Sequence, residues 1–193
     1  MTRRLYSCVW IALALAAVIA RAPALADAAQ VSSEPALVML VRHAEKAKEP
    51  ADNPPLTDAG AQRAQALALA LRDAGVTAIV TTQLRRTRDT AQPLAAALHL
   101  APEVVQVGDD EDAHATAVAA AVRRHAGGIV LVVGHSNTVP KIIAALGGPQ
   151  MPEVCETQFA NLFVLEPSPA GGARLVRGLY GAADPPPAPD CVE

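Results

Sequence analysis

Two histidines in the sequence each follow an apolar run of strand length. His43 stands beside Arg42 after residues 37–41, and His135 follows residues 129–133 after one glycine. Arginine forks bind phosphate and carboxylate oxygens, and an imidazole can act as a nucleophile or stabilise developing charge. In an open α/β sheet, side chains just past the carboxyl ends of buried strands lie where ligands bind. We therefore expect the two histidines to share one site.

A metal ion and a serine nucleophile are two chemistries that these residues could serve. Two imidazoles and one carboxylate, from His43, Glu45 and His135, form a set that can bind a transition metal. Arg42 argues against it, because it would place a fixed positive charge beside the cation. The segment ending at Ser136 resembles part of a G-x-S-x-G elbow, but there the base histidine follows the serine, and every histidine here precedes it.

Phosphoryl transfer through a histidine is the third chemistry, and it uses all of these side chains. A phosphate monoester is nearly a dianion, so its transfer depends on positioning and on stabilisation of charge. A neutral imidazole can attack phosphorus in line, while a second, partly protonated histidine stabilises the oxygens. Arginines hold the same oxygens with paired hydrogen bonds and stay charged at any working pH. The sequence supplies this complete set, which favours phosphoryl transfer.

Four short motifs follow one another along the chain. They are Val-Arg-His-Ala-Glu at 41–45, a Leu-Thr-x-x-Gly segment with Gln-Arg-Ala at 56–64, an arginine-rich segment at 81–91, and Val-Gly-His-Ser-Asn at 133–137. In this order they resemble the R-H-G-E, L-T-x-x-G-x-x-Q/R-A, S-S-x-L-x-R-A-x-x-T-A and V-G-H-x motifs of the histidine phosphatase superfamily, also called phosphoglycerate mutase-like. Ala44 stands where the family usually has glycine.

The resemblance implies a role for each matching residue. His43 would be the nucleophile that becomes phosphohistidine, and Arg42 and Arg86 would clamp the phosphoryl group. His135 would share in that clamp, and Ser136 would lie in the phosphate or substrate site. The resemblance implies neither a metal nor a cofactor.

The arginine-rich segment contains three arginines, and alignment with the family motif shows which of them would clamp the phosphoryl group. Leu84 and Thr90 match the leucine and the threonine of the motif, which selects Arg86 over Arg85 and Arg88. We expect these last two on a solvated helix face. The histidines outside the motifs are expected at surface or helix-end positions: His99, His114 and His125.

The general acid that protonates the leaving group is less directly indicated. Family members often place a carboxylate after the third strand, which here points to Asp110 or Asp112 within the acidic turn 109–112. The alternative is that one of them caps the following helix and complements its dipole. Both interpretations stay open, and Glu45 is expected to orient neighbouring groups. Residues that touch the leaving group are expected in the loops at 46–55 and 150–159.

Apolar strand-length runs alternate with helical patterns along most of the chain. This alternation predicts an α/β fold, a single three-layer domain whose mostly parallel sheet is flanked by helices on both faces. The resemblance makes that fold phosphoglycerate mutase-like. Thr57 is expected to cap the first helix, and Gly75 to follow its end. We expect strands at 36–41, 76–81, 103–107 and 129–133, helices at 61–74, 84–98, 113–125 and 137 or 138 to 146, and a C-terminal edge hairpin at 161–165 and 173–179.

The N-terminal residues have the features of a secretory signal peptide. Arg3 and Arg4 precede an apolar run at 8–20, and Ala-Leu-Ala stands before Asp27. An uncleaved membrane anchor is the alternative, but the run is shorter than the roughly 20 residues a spanning helix needs. We expect a signal peptide at 1–26, a flexible lead-in at 27–35, the histidine phosphatase domain at 36–183 and a proline-rich tail at 184–193.

Cleavage at this position changes both the charge and the cysteine content. It removes three arginines and no acidic residue, taking the formal charge from −3 to −6, so nucleic acid is not an expected partner. Of three cysteines, Cys155 and Cys191 remain. A pair in an oxidising compartment is compatible with a disulfide between them, and two free thiols are the alternative.

These observations favour an exported, metal-independent hydrolase of the histidine acid phosphatase type, periplasmic or secreted and without membrane contact after cleavage. Residues 107–129 have room for only one turn and one helix, so the site should be shallow and open. The expected substrate is a small-molecule phosphomonoester or a phosphorylated envelope component. The alternatives are a phosphate-binding or scaffold protein of the same fold without turnover, and a phosphohistidine protein phosphatase.

Overall fold

The computed structural model describes residues 34–186 and residue 191 of the chain. The predicted signal peptide at 1–26 lies outside the described residues, as does the lead-in up to residue 33. Within the described part, no helix is long and apolar enough to cross a bilayer. The strands there are β1 (Leu37–Arg42), β2 (Ala78–Thr81), β3 (Glu103–Val104), β4 (Ile129–Gly134), β5 (Asn161–Pro167) and β6 (Ala173–Leu179), and the helices are α1 (Asp58–Leu71), α2 (Arg85–Ala97), α3 (Glu111–Arg123) and α4 (Thr138–Ala145).

The strands form one mixed sheet in the order β3-β2-β4-β1-β5-β6. β4 pairs in parallel with β1 and β2, and β2 pairs in parallel with β3. β5 is antiparallel to both β1 and β6, so the predicted C-terminal hairpin lies at the sheet edge. In the register of β1 with β4, Arg42 stands opposite Gly134. His43 and His135 therefore leave the sheet side by side.

Helices cover both faces of the sheet and enclose one core on each. Val38 and Leu40 of β1 pack in the core that α3 and α4 complete, and Val41 packs with residues of α1 and α2 on the other face. Central strands buried on both faces need apolar side chains at every position, which is why β1 and β4 read as continuous apolar runs. The predicted three-layer α/β fold is confirmed.

The helix starts follow local caps more closely than they follow the apolar pattern. Thr57 caps α1 as predicted, with its hydroxyl accepting from the Gly60 N–H at 3.1 Å. Asp110 caps α3 in the same way. A capping residue lies one position before its helix, so α1 and α3 begin earlier than apolar periodicity predicted. At its other end α1 stops at Leu71, three residues before the predicted end at 74, and Gly75 (φ 75°) ends the turn that follows instead of standing directly after the helix.

Asp184 fastens the start of the predicted tail to the domain. Its carboxylate accepts hydrogen bonds from the Phe159 N–H at 3.0 Å and from the Ala160 N–H at 2.8 Å. It also lies 3.4 Å from the guanidinium of Arg63, which is 5% exposed. The first residue assigned to the tail therefore takes part in the packing of the domain.

Candidate active site

The two predicted histidines lie together at the carboxyl edge of β1 and β4. The ring centroids of His43 and His135 are 5.4 Å apart, and the rings meet edge to face at 62°. Both side chains are buried except where they line a cavity of about 460 Å³. Residues from β1, α2, β4 and the segments after β4 meet around that cavity: Arg42, His43, Arg86, His135, Ser136 and Glu156.

His43 is held in one orientation by its own backbone neighbour. Its Nδ1 donates to the Ala44 carbonyl at 2.8 Å, because a carbonyl can only accept; the free electron pair is then on Nε2. Burial lowers the pKa of His43 to about 4, and the charges of Arg42 and Arg86 lower it further against the opposing effect of the carbonyl. The imidazole is therefore neutral at neutral pH, the form that can attack phosphorus.

Ala44 connects the end of β1 to α2. Its side chain is fully buried, and its N–H donates to the Thr90 hydroxyl at 2.9 Å. The Thr90 hydroxyl in turn donates to the Arg86 carbonyl at 2.8 Å. The first and third sequence motifs are thus joined by one hydrogen bond, and a second one continues from Thr90 to the backbone of Arg86. This backbone bond does not need a glycine at position 44.

Arg42 is buried and fixed by a segment far away in sequence. Its Nη1 donates to the carbonyls of Cys155 at 2.8 Å and Gln158 at 3.3 Å, and its Nη2 donates to Glu156 at 2.6 Å. The guanidinium carbon lies 4.3 Å from the ring centroid of Phe159, a cation–π contact. The pKa of Arg42 is lowered, chiefly by burial, and Glu156 opposes that shift.

The surroundings of His135 favour the neutral form of its ring. Its Nε2 lies 3.2 Å from the Thr82 hydroxyl, which itself lies 2.9 Å from the Thr87 hydroxyl. Burial lowers the pKa of His135 to about 3, with further lowering by Arg86 and His43. A dianion beside the ring would favour the protonated form, so charge on His135 depends on what the cavity holds.

The alignment selected the arginine that the structure brings to the cavity. Arg86 is half-buried at the start of α2, and its pKa is lowered by burial and by the charge of Arg42. Arg85 and Arg88 are exposed, and Arg85 pairs with Asp89 at 3.0 Å. Two guanidinium groups therefore lie at one edge of the sheet. An anion bound in the cavity would offset the repulsion between their charges.

Three buried nitrogens in this cluster have no hydrogen-bond partner among the described residues: Arg42 Nε, Arg86 Nε and His135 Nδ1. Buried polar groups without partners are rare in folded proteins. Their concentration around one cavity marks a polar, electropositive site in which these nitrogens make no hydrogen bond to the described protein groups.

The two carboxylates predicted as general acid do not line the cavity. Asp110 caps α3 by accepting from the Ala113 N–H at 2.9 Å, and Asp112 is exposed and bonds Lys141 at 2.8 Å. A capping carboxylate is engaged by the backbone of the first turn of its own helix. The capping interpretation describes Asp110, while the cavity is lined by other carboxylates: Asp109, Glu153 and Glu156.

Glu45, the carboxylate of the metal-ligand set considered from the sequence, is paired with Arg63 of α1. Its two oxygens accept from the Arg63 Nε at 2.9 and 3.0 Å. Burial alone would lower the pKa of Arg63, but the hydrogen bond and charge of Glu45 raise it. Among residues 34–186 and 191, no three His, Cys, Asp or Glu side chains are grouped to hold a metal ion.

Sequence reasoning missed Glu156, and of the two positions expected for His114 only the helix end fits, because His114 lies in the first turn of α3. Glu156 lies in the loop that was expected to meet the leaving group, but its bonds to Arg42 and Ser136 have no local sequence signal. His114 is 4% exposed, not on the surface, and its Nδ1 donates to the Gln106 carbonyl at 2.9 Å. Helical periodicity, which puts residue 114 on the same face as buried residue 118, could have indicated its burial.

Cys155 and Cys191 lie together beside the cavity, with Cα atoms 5.8 Å apart. This separation is within the range that a disulfide spans. Because the Cys155 carbonyl holds Arg42, a bond at this position would connect the C-terminal tail to the arginine of the site.

The fold, with paired histidines and arginines at one edge of its sheet, is phosphoglycerate mutase-like. The family model of the histidine phosphatase superfamily, branch 1, matches residues 38–108. This match contains the first three of the four motifs and confirms the resemblance that they predicted. A comparison with curated proteins found no match.

Several solved structures share this fold over most of their length. The protein histidine phosphatase SixA complexed with tungstate superposes with a TM-score of 0.59 at 17% identity, covering 74% of this chain and 96% of that one. YhfR of Bacillus stearothermophilus gives 0.59 at 20% identity, with coverages of 72% and 95%. A phosphoserine phosphatase of Entamoeba histolytica, in complex with 3-phosphoglyceric acid, gives 0.56 at 14% identity, with coverages of 76% and 98%.

Proposed function

We propose that this chain is a phosphatase that hydrolyses phosphomonoesters through a phosphohistidine at His43. The observation that carries the proposal is the orientation and charge state of His43. The Ala44 carbonyl holds its Nδ1 proton, the low pKa keeps Nε2 unprotonated, and the ring lines a cavity shared with Arg42 and Arg86. A ring nitrogen that carries no proton, at a cavity shared with two fixed cations, suits attack on an anionic phosphorus centre.

In the proposed reaction the side chains of the cavity divide the work. Arg42, Arg86 and His135 hold the phosphoryl oxygens, and His43 Nε2 attacks phosphorus as the bond to the leaving oxygen breaks. Water then attacks the phosphohistidine, the phosphorus–nitrogen bond breaks, and inorganic phosphate leaves. Positive charge comes from the two guanidinium groups, so the proposal assigns no step to a metal ion.

We propose that the protein works outside the cytoplasm, on a small phosphomonoester or a phosphorylated envelope component. The signal-like sequence at 1–26 supports export, and the adjacency of Cys155 and Cys191 suits an oxidising compartment. A phosphohistidine protein phosphatase is a second candidate, favoured by the fold shared with SixA. Fractionation of cells that produce the full chain tests export, and recovery with the cytoplasm would contradict it.

The reaction is tested by phosphate release from p-nitrophenyl phosphate, a panel of phosphometabolites and a phosphohistidine peptide, all with EDTA present. We expect release by the wild type, none by His43→Ala, and normal release by Arg88→Ala, whose side chain is exposed. Release that survives in His43→Ala would contradict the nucleophile, and release lost to EDTA would contradict metal independence. No release from any substrate would favour the phosphate-binding or scaffold alternative.

A further inference from the structure

We propose that Glu156 protonates the leaving oxygen after the phosphoryl group displaces it from Arg42. The inference rests on the proposed phosphatase function and assigns a residue to its missing proton donor. Glu156 lies outside the four sequence motifs, in the loop between α4 and β5.

The contacts of Glu156 place its carboxylate between the two sides of the cavity. One oxygen accepts from Arg42 Nη2 at 2.6 Å, and the other accepts from the Ser136 hydroxyl at 2.6 Å. The side chain is 73% exposed, so its end can turn within the open cavity without disturbing the core. A carboxylate that bridges these two donors occupies them in the way that two phosphoryl oxygens would.

The two terminal nitrogens of Arg42 differ in how freely their partners can change. Nη1 is fixed by the backbone carbonyls of Cys155 and Gln158, whereas Nη2 is held by the exposed side chain of Glu156. A phosphoryl dianion carries more charge than a carboxylate and interacts with Arg86 as well. The substrate can therefore take Nη2 while the guanidinium keeps its orientation.

Displacement changes the protonation of Glu156. Burial alone would raise the pKa of this carboxyl, but the Ser136 hydrogen bond and the Arg42 charge lower it below the usual value, with His43 contributing less. When the substrate takes Arg42, that stabilisation of the carboxylate is lost and a dianion stands beside it. Both changes favour the protonated carboxyl. Substrate binding thus favours uptake of a proton by Glu156, in the same cavity as the bond that must break.

The proposed proton transfer balances over one turnover. As His43 Nε2 bonds to phosphorus, the phosphorus–oxygen bond breaks, and the leaving oxygen takes the proton of Glu156 to become an alcohol. The Glu156 carboxylate then accepts a proton from the water that attacks the phosphohistidine. The phosphorus–nitrogen bond breaks and hydrogen phosphate leaves with His43 neutral again. When Arg42 pairs with Glu156 once more, the carboxyl returns to solvent the proton that it took from solvent as the substrate bound.

Other carboxylates near the cavity are engaged elsewhere or lack the same contacts. Asp110 caps a helix, Asp112 bonds Lys141, and Glu111 bonds Asn137. Asp109 and Glu153 line the cavity, but among the described residues Glu156 is the carboxylate that joins Arg42 to Ser136.

The test compares two leaving groups in Glu156→Gln. p-Nitrophenolate departs readily without a proton, whereas the alkoxide of glycerol 2-phosphate needs one. We expect kcat/KM on glycerol 2-phosphate to fall about 100-fold, and on p-nitrophenyl phosphate to fall by less than about tenfold. Glu166→Gln is the matched control, since Glu166 pairs with Arg174 at 3.1 Å outside the cavity and its loss should leave both substrates unaffected.

Each other outcome overturns the proposal. An equal loss on both substrates would mean that Glu156 only positions Arg42, and an equal gain would mean that it only competes with phosphate. Glu156→Ala adds an independent measurement, because formate should restore activity on glycerol 2-phosphate if a carboxyl delivers the proton, and failure to do so overturns the assignment. If Glu156→Gln shows the expected selective loss on glycerol 2-phosphate but His43→Ala stays active, the proposed nucleophile, and with it the proposed function, is contradicted.

Discussion

At the scale of single residues, Arg42 shows how the site holds a cation at a fixed angle. The guanidinium is almost fully buried, and two backbone carbonyls and the ring of Phe159 determine its orientation. A buried charge must be compensated by hydrogen bonds and by opposite charge. Glu156 supplies that charge in the substrate-free site. A bound phosphoryl group would supply the same negative charge, so it can replace the Glu156 carboxylate as the partner of Arg42.

Arg86 and Arg88 provide a matched pair for testing which arginine of α2 serves the reaction. Arg86 lines the cavity and Arg88 is exposed to solvent. We expect Arg86→Ala to lower kcat/KM for p-nitrophenyl phosphate by about 100-fold or more, because it removes a fixed donor to the transferring group. Arg88→Ala should stay within about twofold. A comparable loss in both variants would contradict the assignment of Arg86.

At the scale of the elements, close backbone approaches connect the helices to the strand ends that carry the site. Gly60, in the first turn of α1, lies against the backbone of Glu45 just after β1. The Thr57 N–H donates to the Glu45 carbonyl at 2.9 Å, so the same contact also holds the helix start. Any shift of α1 would therefore move the residues next to His43.

We expect Gly60→Ala to destabilise the protein, because the added methyl group would overlap the Glu45 carbonyl oxygen. The free energy of unfolding should fall by about 1–3 kcal/mol, the usual cost of overpacking a tight contact. Denaturant unfolding measures the effect. Gly108→Ala is the control, since nothing lies within 4 Å of its added methyl group. Equal stability of the two variants would contradict the close approach at Gly60.

The predicted disulfide between Cys155 and Cys191 should matter for both stability and substrate binding. Reduction, or Cys191→Ser, should lower the free energy of unfolding by about 2–4 kcal/mol, because the closed loop restricts the unfolded chain. It should also raise KM for p-nitrophenyl phosphate, since the Cys155 carbonyl holds Arg42. The measurements are thermal unfolding and initial rates with and without reductant. A reductant without effect on the wild type would show two free thiols.

At the scale of the whole molecule, Arg63 joins the start of the domain to its end. Its guanidinium pairs with Glu45 after β1, and it donates to the carbonyls of Tyr180 at 3.2 Å and Ala182 at 2.9 Å after β6. Its fourth partner is Asp184. This partly buried ion pair and the hydrogen bonds beside it thus link the segment after β1 to the segment after β6. Loss of one partner from such a pair costs more than loss of an exposed ion pair.

The buried histidines should make the whole protein less stable in acid. The pKa of His43 is about 4 when folded and 6.5 when unfolded, so between these values only the unfolded chain binds the proton. Stability contributed by the neutral ring is complete above pH 6.5 and is lost as pH falls towards 4. The loss from His43 alone is on the order of 3 kcal/mol.

Urea unfolding of the wild type and of His43→Gln between pH 7 and pH 4 measures this effect. The wild type should lose more stability over that range than the variant, because glutamine does not titrate. The burial of His43 and its proximity to Arg42 and Arg86 are the causes of the difference. Parallel curves for the two proteins would contradict a neutral, buried His43.

The sequence by itself determined the layers of the fold and four residues of the candidate site. Continuous apolar runs indicated β1 and β4, because central strands are buried on both faces. Thr57 marked the start of α1, because a helix cap depends only on neighbouring residues. The motif order then brought Arg42, His43, Arg86 and His135 together, since parallel strands place their carboxyl ends at one edge.

Only the tertiary structure decided which side chains complete that group. Asp110 and Asp112 had the local position of an acid, but helix capping and an ion pair with Lys141 engage them away from the cavity. Glu156 contacts Arg42 across a sequence separation of 114 residues. No local pattern records such a contact, because it depends on where a loop crosses the sheet edge after the strands have paired.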